Sequence, residues 1–396
     1  MKLTILGSTS TIGINTLSVI NQLDKKPKIF ALTAKSNYKL LFKQIQKTNP
    51  NFAVVLDKTH ADKLIAMCKK INSKTTILYG KKNYNYVSSH KKCNCVMSAI
   101  VGAAALEPTF KAVEAGKKIL LANKESLIMS GTLLIKAAKI SGAILIPVDS
   151  EHNAILQILM SSGLEYNIGV KNFYSKTIKR ITLTASGGPF LNYSHNKLSN
   201  VQVTQAIKHP NWKMGKKISV DSATMMNKGF EVIEACLFFG LKHDQVKVLV
   251  HPQSIVHALV SFYDGSTISH MSNHDMRIPI SYALSWPGRY KLNIKSLNNN
   301  KFNNLTFSEV KKGQFKCLDL AFKALKMGLN APTILNASNE IAVEKFLENK
   351  IKFIDIPVII GKALKYVPVK KNNSLSSILA SDELTRKYTR ELIKKI

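Results

Sequence analysis

Apolar residues gather in seven short runs over the first 150 positions: Leu3–Leu6, Ile29–Thr33, Phe52–Leu56, Thr76–Leu78, Val96–Val101, Lys118–Ala122 and Ala143–Val148. Stretches with helical spacing lie between them, such as Leu40–Thr48 and Pro108–Ala115. Short unbroken runs alternating with amphipathic stretches predict βαβ units on a mostly parallel, doubly wound sheet. From about position 150 to 290 the pattern changes. Gly-rich turns appear at Gly187-Gly188-Pro189, and strands are expected at Lys247–His251 and Ile255–Phe262, so this region reads as α+β. Leu292–Val310 is rich in asparagine and weakly periodic, which predicts a linker. Helical spacing returns from Cys317, through Leu318, Leu320, Ala321, Ala324 and Leu325 to Ala337–Leu347, and predicts a small C-terminal helical domain. The expected divisions are residues 1–149, 150–290, 291–311 as linker, and 312–396.

Composition narrows the function classes. The chain has 396 residues, 45% of them hydrophobic, enough for the cores of two or three domains. No apolar run reaches the roughly 18–20 residues of a membrane helix. Strand-like sequence begins at once, so no signal or transit peptide is expected. The five cysteines show no repeating pair. Cys93 and Cys95 do not complete a zinc spacing, which predicts free thiols in a reducing cytoplasm. The formal charge of +33 by itself suggests nucleic acid or an anionic surface. Its distribution argues otherwise. Only Arg180, Arg277, Arg289, Arg386 and Arg390 are arginine, the residue suited to bidentate reading of phosphates and bases. The lysines are scattered singly and in pairs. We read the charge as drift on a solvated surface and expect neither a nucleic-acid nor a membrane partner.

Several stretches carry chemistry. "GSTSTIG" at 7–13 follows the first apolar run, and a strand that ends in such a turn and opens a helix is how a dinucleotide's pyrophosphate is cradled. By itself it is equally a tight turn. "IPVDSEHNAI" at 146–155 sets Asp149 and Glu151 two apart at a strand end, where an extended chain turns both to one face. Paired carboxylates invite Mg2+ or Mn2+. The competing reading is that Asp149 or Ser150 caps a helix beginning near His152. "HPNWKMGKKISVDSATMMNKGFEVIEA" at 209–235 holds Ser222, Asn227 and Lys228, neutral donors and one cation suited to a phosphate monoester. Glu231 lies three residues after Lys228 on the same helical face and is a candidate third metal ligand. His209 precedes Pro210 and belongs in a loop. In "TASGGPF" at 184–190, Gly187 and Gly188 let the backbone approach a ligand closely, and Ser186 can donate to a phosphate; the competing reading is an ordinary Gly-Pro turn. "LLANKES" at 120–126 places Asn123, Lys124 and Glu125 at another strand end. His251 and His257 fit no metal spacing and read as structural.

These motifs, with "IVGAAAL", "HPQSIVH", "HDMRIPI" and "LNASNEIAV", stand in the order and spacing of the 1-deoxy-D-xylulose 5-phosphate reductoisomerase family, which the chain resembles along essentially its whole length. The resemblance implies a Rossmann-like NADPH domain over 1–149, a catalytic and dimerisation domain over 150–290 with a lid near 205–216, a C-terminal helical domain, and a cytoplasmic homodimer. It implies conversion of 1-deoxy-D-xylulose 5-phosphate to 2-C-methyl-D-erythritol 4-phosphate. Asp149, Glu151 and Glu231 would then hold Mg2+ or Mn2+, with Co2+ as a third option. Ser186, Ser222, Asn227 and Lys228 would grip the substrate and its phosphate. Ser150, Lys124 and His209 would contact the reacting end, and Trp212 and Met214 would belong to the lid. Gly7, Thr9, Ser10, Thr11, Ile12 and Gly13 would form the pyrophosphate turn. Lys35, Ser36 and Asn37 would stand where an NADP 2′-phosphate is read, and Met276 near the nicotinamide. Asn123, Glu125 and Gly215 would line the cofactor site.

The chain departs from the family pattern at four places. Ser10 and Thr11 replace Gly and Ser, Lys35-Ser36-Asn37 replaces Gly-Lys-Asn, and Ala105 and Ala185 stand where glycine is common. Each is expected to cost backbone freedom or room. Two other functions compete: a related metal-dependent NAD(P) oxidoreductase on another sugar phosphate, and a basic nucleic-acid-binding scaffold with leftover catalytic residues.

Overall fold

The computed structural model describes residues 1–395 other than 172, 175, 213 and 312, and of residue 195 only the backbone. Each of the seven apolar runs forms a strand: β1 (Lys2–Leu6), β2 (Lys28–Thr33), β3 (Phe52–Val55), β4 (Thr76–Tyr79), β5 (Cys95–Ser98), β6 (Lys118–Leu121) and β7 (Ile144–Pro147). They build one sheet in the order β4-β3-β2-β1-β5-β6-β7, parallel at every pairing. The runs are unbroken because helices cover both faces of such a sheet. The chain winds outward from β1 to β4, then returns to β5 on the other side of β1. That reversal opens a crevice beyond the carboxyl ends of β1 and β5, where open parallel sheets bind ligands.

Compact units do not follow chain order. The first comprises Met1–Ser126, Leu133–Asn153 and Asp275–Ile294. Its last segment returns by specific contacts. The helix Arg277–Ser285 packs against the helix Thr11–Asn21. Lys118 Nζ donates to the carbonyls of Leu284 at 3.4 Å and Trp286 at 3.3 Å, satisfying acceptors that a helix end leaves open. Asn293 N donates to Gln22 Oε1 at 3.0 Å.

The second unit comprises Leu127–Thr132, Ala154–His274 and Lys295–Ile396. Its sheet has the order β11-β10-β8-β9-β12, from β8 (Ile178–Ala185), β9 (Val246–Val250), β10 (Val256–Phe262), β11 (Thr267–Met271) and β12 (Ser308–Glu309). β8 and β9 are parallel and the other pairs antiparallel. The helix Met226–Phe239, buried along nearly its whole length, packs against β8, β9 and the helix Lys316–Met327. Gly229 allows that second approach, since a Cβ there would lie 2.5 Å from Ala321 Cβ. Helices Ala331–Leu347, Asp355–Tyr366 and Leu375–Ile393 complete the C-terminal layer, and its core includes Phe230, Ile334, Phe346 and Ile360. The Asn-rich stretch expected as linker is anchored. β12 pairs with β9, and Phe307 stacks on His251 with centroids 4.5 Å apart. No helix among the described residues is long and apolar enough to cross a membrane. All five cysteines are free and buried.

Candidate active site

The glycine loop closes β1 with a defined geometry. Gly7 has φ +78°, and a Cβ on it would lie 2.6 Å from Ala99 O. It thus supplies both a left-handed turn and a close approach to the chain leaving β5. Gly13 supplies the helix contact, since a Cβ there would lie 2.4 Å from Gly7 O. Ser8 is buried, donating to Gln44 Oε1 at 2.7 Å, while Gln44 Nε2 donates back to Ser8 O at 2.8 Å. Ser10 is the N-cap of the helix Thr11–Asn21, with φ −76° and ψ 167°, and its Oγ accepts from Gly13 N at 3.2 Å. That conformation is open to any residue, so the expected loss of backbone freedom does not occur. Ala105 has φ −78° and ψ −19°, and Ala185 is a strand residue outside the left-handed region; neither is strained. Thr9 and Ile12 are half-buried and Thr11 is exposed. Lys35, Ser36 and Asn37 are all exposed after β2, and Asn37 caps the next helix by accepting from Leu40 N at 3.2 Å. Met276 is the residue ahead of the helix Arg277–Ser285, which packs on the helix the glycine loop opens.

Two further strand ends lie in the same unit. Asn123 is 3% exposed. Its Nδ2 donates to Ile100 O at 2.9 Å, Gly102 O at 3.1 Å and Glu125 Oε2 at 2.7 Å. Its Oδ1 accepts from Ser126 N at 2.8 Å and from the Ser126 hydroxyl. Asn123 therefore ties the chain leaving β5 to the helix Lys124–Ser130. Lys124 Nζ pairs with Asp149 Oδ2 at 2.8 Å. The helix after β7 begins at Ser150, two residues before the expected start, so the extended-chain argument for Asp149 and Glu151 fails. The two carboxylates still come within 4.8 Å of each other, because the first helical turn gathers them. Asp149 Oδ1 accepts from Ser150 N at 3.0 Å, and Ser150 Oγ donates to Glu151 Oε2 at 2.5 Å. Capping and ion pairing are thus compatible: Asp149 serves the helix start with Oδ1 and pairs with the Lys124 ammonium through Oδ2. An anionic pair at a helix N-terminus is favoured by the helix dipole, and an all-oxygen donor set suits a hard divalent cation.

In the second unit, His209 Nδ1 accepts from Asn211 N at 3.1 Å and Trp212 N at 3.0 Å. These bonds leave the proton on Nε2, which donates to Ser186 Oγ at 3.1 Å. Ser186 Oγ also accepts from Gly188 N at 3.1 Å, so its hydroxyl hydrogen is directed to a further acceptor. Gly188 has φ +69°, and a Cβ there would lie 2.8 Å from Ser222 O; this close approach brings the Ser186 loop onto the helix Lys216–Ala223. Gly215 is the N-cap of that helix. Asn227 Nδ2 donates to Glu231 Oε1 at 2.5 Å, and Lys228 Nζ donates to Glu231 Oε2. Lys228 and Glu231 are 4% and 0% exposed, so a cation and a carboxylate are held dry side by side. The Trp212 ring lies 5.4 Å from His274 and 6.3 Å from His257. Met214 is half-buried; Lys213, within the expected lid, lies outside the described residues. His251 accepts from Ile255 N and Val256 N at 3.1 and 3.2 Å, and its Nδ1 bonds to Thr306 O at 2.8 Å, a structural histidine as expected.

Three family models match the chain: "1-deoxy-D-xylulose 5-phosphate reductoisomerase" over residues 3–131, its C-terminal domain over 145–239, and "DXP reductoisomerase C-terminal domain" over 271–388. The chain belongs to the 1-deoxy-D-xylulose 5-phosphate reductoisomerase family. A reductoisomerase of Dechloromonas aromatica is 44% identical over 100% of this chain and 98% of its own. One from Buchnera aphidicola is 45% identical over 97% and 96%. A crystal structure of DOX-P reductoisomerase in complex with NADPH, fosmidomycin and magnesium superposes with a TM-score of 0.95 at 41% identity, covering 100% and 98% of the two chains. The Zymomonas mobilis reductoisomerase in complex with NADPH gives 0.90 at 36%, covering 100% and 99%.

Proposed function

We propose that this reductoisomerase-family chain converts 1-deoxy-D-xylulose 5-phosphate to 2-C-methyl-D-erythritol 4-phosphate, using NADPH and a divalent cation, in non-mevalonate isoprenoid synthesis. The observation that supports the reading is that Gly188 brings the Ser186 loop onto the helix carrying Ser222, while Asn227 and Lys228 stand at the start of the next helix. Three neutral donors and one buried ammonium match a phosphomonoester. Asp149, Glu151 and Glu231 would hold the cation, Mg2+ or Mn2+. The glycine loop with Thr9, Ser10, Thr11 and Ile12 would seat the pyrophosphate, and Lys35, Ser36 and Asn37 the 2′-phosphate. When bound, the cation supplies Lewis acidity to the substrate's ketone and neighbouring hydroxyl, and NADPH supplies the hydride.

The chain's own residues bind, orient and exclude water. Phosphate grip lies away from the reacting carbons, so its binding energy can drive lid closure. His209, locked with its proton on Nε2, orients Ser186 as a donor. Trp212 and Met214 cover the reacting end and keep water from it. Lys124 places a positive charge beside Asp149 and the substrate's oxygens. The family reading also carries a homodimer in the bacterial cytoplasm. The test is direct. Purified protein with substrate, NADPH and Mg2+ or Mn2+ should oxidise the reduced cofactor, followed by its absorbance. No oxidation with either metal overturns the reading. Glu231→Gln should lower turnover at least about a hundredfold while NADPH affinity stays within about twofold. Equal loss of both would make Glu231 structural.

A further inference from the structure

A carboxylate that none of these roles uses lies one residue before Ser222. Asp221 is 1% exposed. Its Oδ1 accepts from Asn339 Nδ2 at 2.8 Å, and its Oδ2 pairs with Lys217 Nζ at 3.0 Å. Asn339 is 0% exposed, in the middle of the helix Ala331–Leu347 and 118 residues away in sequence. Burying a carboxylate and an amide costs free energy unless each finds a partner. Apolar residues of similar size would pack as well and often stabilise more. What a buried polar pair adds is direction, because its charge-assisted bond is met in one geometry only.

That geometry falls where the phosphate cluster turns a corner. The helix Lys216–Ala223 ends just after Ser222, and the helix Met226–Phe239 begins just before Asn227 and Lys228. Between them, Met225 is buried with φ 62°. A non-glycine residue there is strained and persists only when its surroundings impose it. Bonds lead from Asp221 into the corner: Thr224 Oγ1 donates to Asp221 O at 3.2 Å, and Met226 N donates to Thr224 Oγ1 at 3.3 Å.

We propose that Asp221 and Asn339 are positioning residues for the phosphate: their buried hydrogen bond holds the Ser222–Met225 corner in the shape that presents Ser222, Asn227 and Lys228 to one phosphomonoester. The C-terminal helical layer thereby contributes to substrate affinity without touching the substrate. This rests on the phosphate reading of the cluster, and its test separates the two. Wild-type full-length chain is first titrated calorimetrically with inorganic phosphate and assayed with 1-deoxy-D-xylulose 5-phosphate; failure of both sinks the phosphate reading itself. With wild type active, Asn339→Ala should raise KM for the sugar phosphate, and the dissociation constant of inorganic phosphate, about ten- to a hundredfold. Turnover number should fall less, and NADPH affinity should stay within about twofold. The exchange Asp221→Asn with Asn339→Asp rebuilds an amide–carboxylate bond and should recover most of the lost affinity. An unchanged KM in folded Asn339→Ala overturns the proposal. So does a parallel loss of KM, turnover, NADPH binding and thermal stability that the exchange does not recover. Should Asn339→Ala not fold, Asn339→Leu, which fills the space but cannot donate to Asp221, is read by the same criteria.

Discussion

At residue 10 serine departs from the glycine of the family pattern but satisfies the physics of a helix start. A glycine there is usually taken as a demand for unusual backbone, yet the φ of −76° and ψ of 167° are those of an ordinary N-cap, and Oγ takes up one of the orphan N–H groups of the first turn. Ser10→Ala should therefore cost about 1 kcal/mol in denaturant unfolding, and Ser10→Gly only a few tenths. NADPH affinity of Ser10→Gly, measured by fluorescence titration, should stay within about twofold of wild type. A larger loss would show that the hydroxyl contacts the cofactor. Gly13 differs, because its missing Cβ is what lets the helix sit against Gly7 and Ser8. Residue types alone could nominate Asp149, Lys228 and Ser222. They could not reveal Asp221 or Asn339, because nothing in local pattern distinguishes a buried amide on a helix from a solvated one. Nor could they show that Asn123 spends its side chain tying β5 to the following helix.

Elements were legible where burial was uniform. Seven parallel strands covered on both faces leave seven continuous apolar runs, and all seven are found. β8 alternates with a period of two only over Ile181-Thr182-Leu183-Thr184-Ala185, after Lys179-Arg180 breaks the pattern, and β11 lies mostly exposed, so neither stands out as an apolar block. The helix starts at Ser150, the earlier of the two starts that Asp149 and Ser150 allow, since both are good caps. Gly187 and Gly188 read from sequence as an approach to a ligand, whereas Gly187 sits against the Leu191 side chain and Gly188 against the helix Lys216–Ala223. The second contact gives a prediction at this scale. In Gly188→Ala the methyl group would meet Ser222 O at 2.8 Å and Ala223 Cα at 3.0 Å, with φ at +69°. Left-handed strain and overpacking together should cost about 1–3 kcal/mol. The Ser186 loop should lift from the helix, so KM for the sugar phosphate rises while NADPH affinity is unchanged. Steady-state kinetics and cofactor titration check this; an unaltered KM would show that the two elements grip the phosphate independently.

Across the whole molecule, contacts far apart in sequence set what no local stretch could announce. Asp275–Ile294 rejoins the first unit, and the Asn-rich stretch near 300 is pinned by His251 and its neighbours. That pinning carries a pH dependence. Burial holds His251 below its ordinary value; the Thr306 carbonyl acts against this and the nearby His274 with it. His274 is also lowered, again first by burial. Below about pH 6.5 the unfolded chain takes up protons at both positions, whereas the folded chain resists until its lower values are reached. The stability these groups contribute is thus complete above about pH 6.5 and is lost as pH falls through the folded values. At His251 the cause is specific: a proton on Nε2 would face the N–H groups of Ile255 and Val256 in place of accepting from them. Overall repulsion also grows as carboxylates protonate on a chain already at +33, but that part is screened by salt, whereas a buried site is screened much less. Thermal unfolding between pH 8 and 5 should therefore show Tm falling below about pH 6.5 even in about 0.5 M salt. His251→Gln should start from a lower Tm at pH 8 and show a flatter fall. If salt abolishes the acid fall in wild type, or the variant keeps the full slope, the loss belongs to net charge and not to the histidine that clamps Thr306.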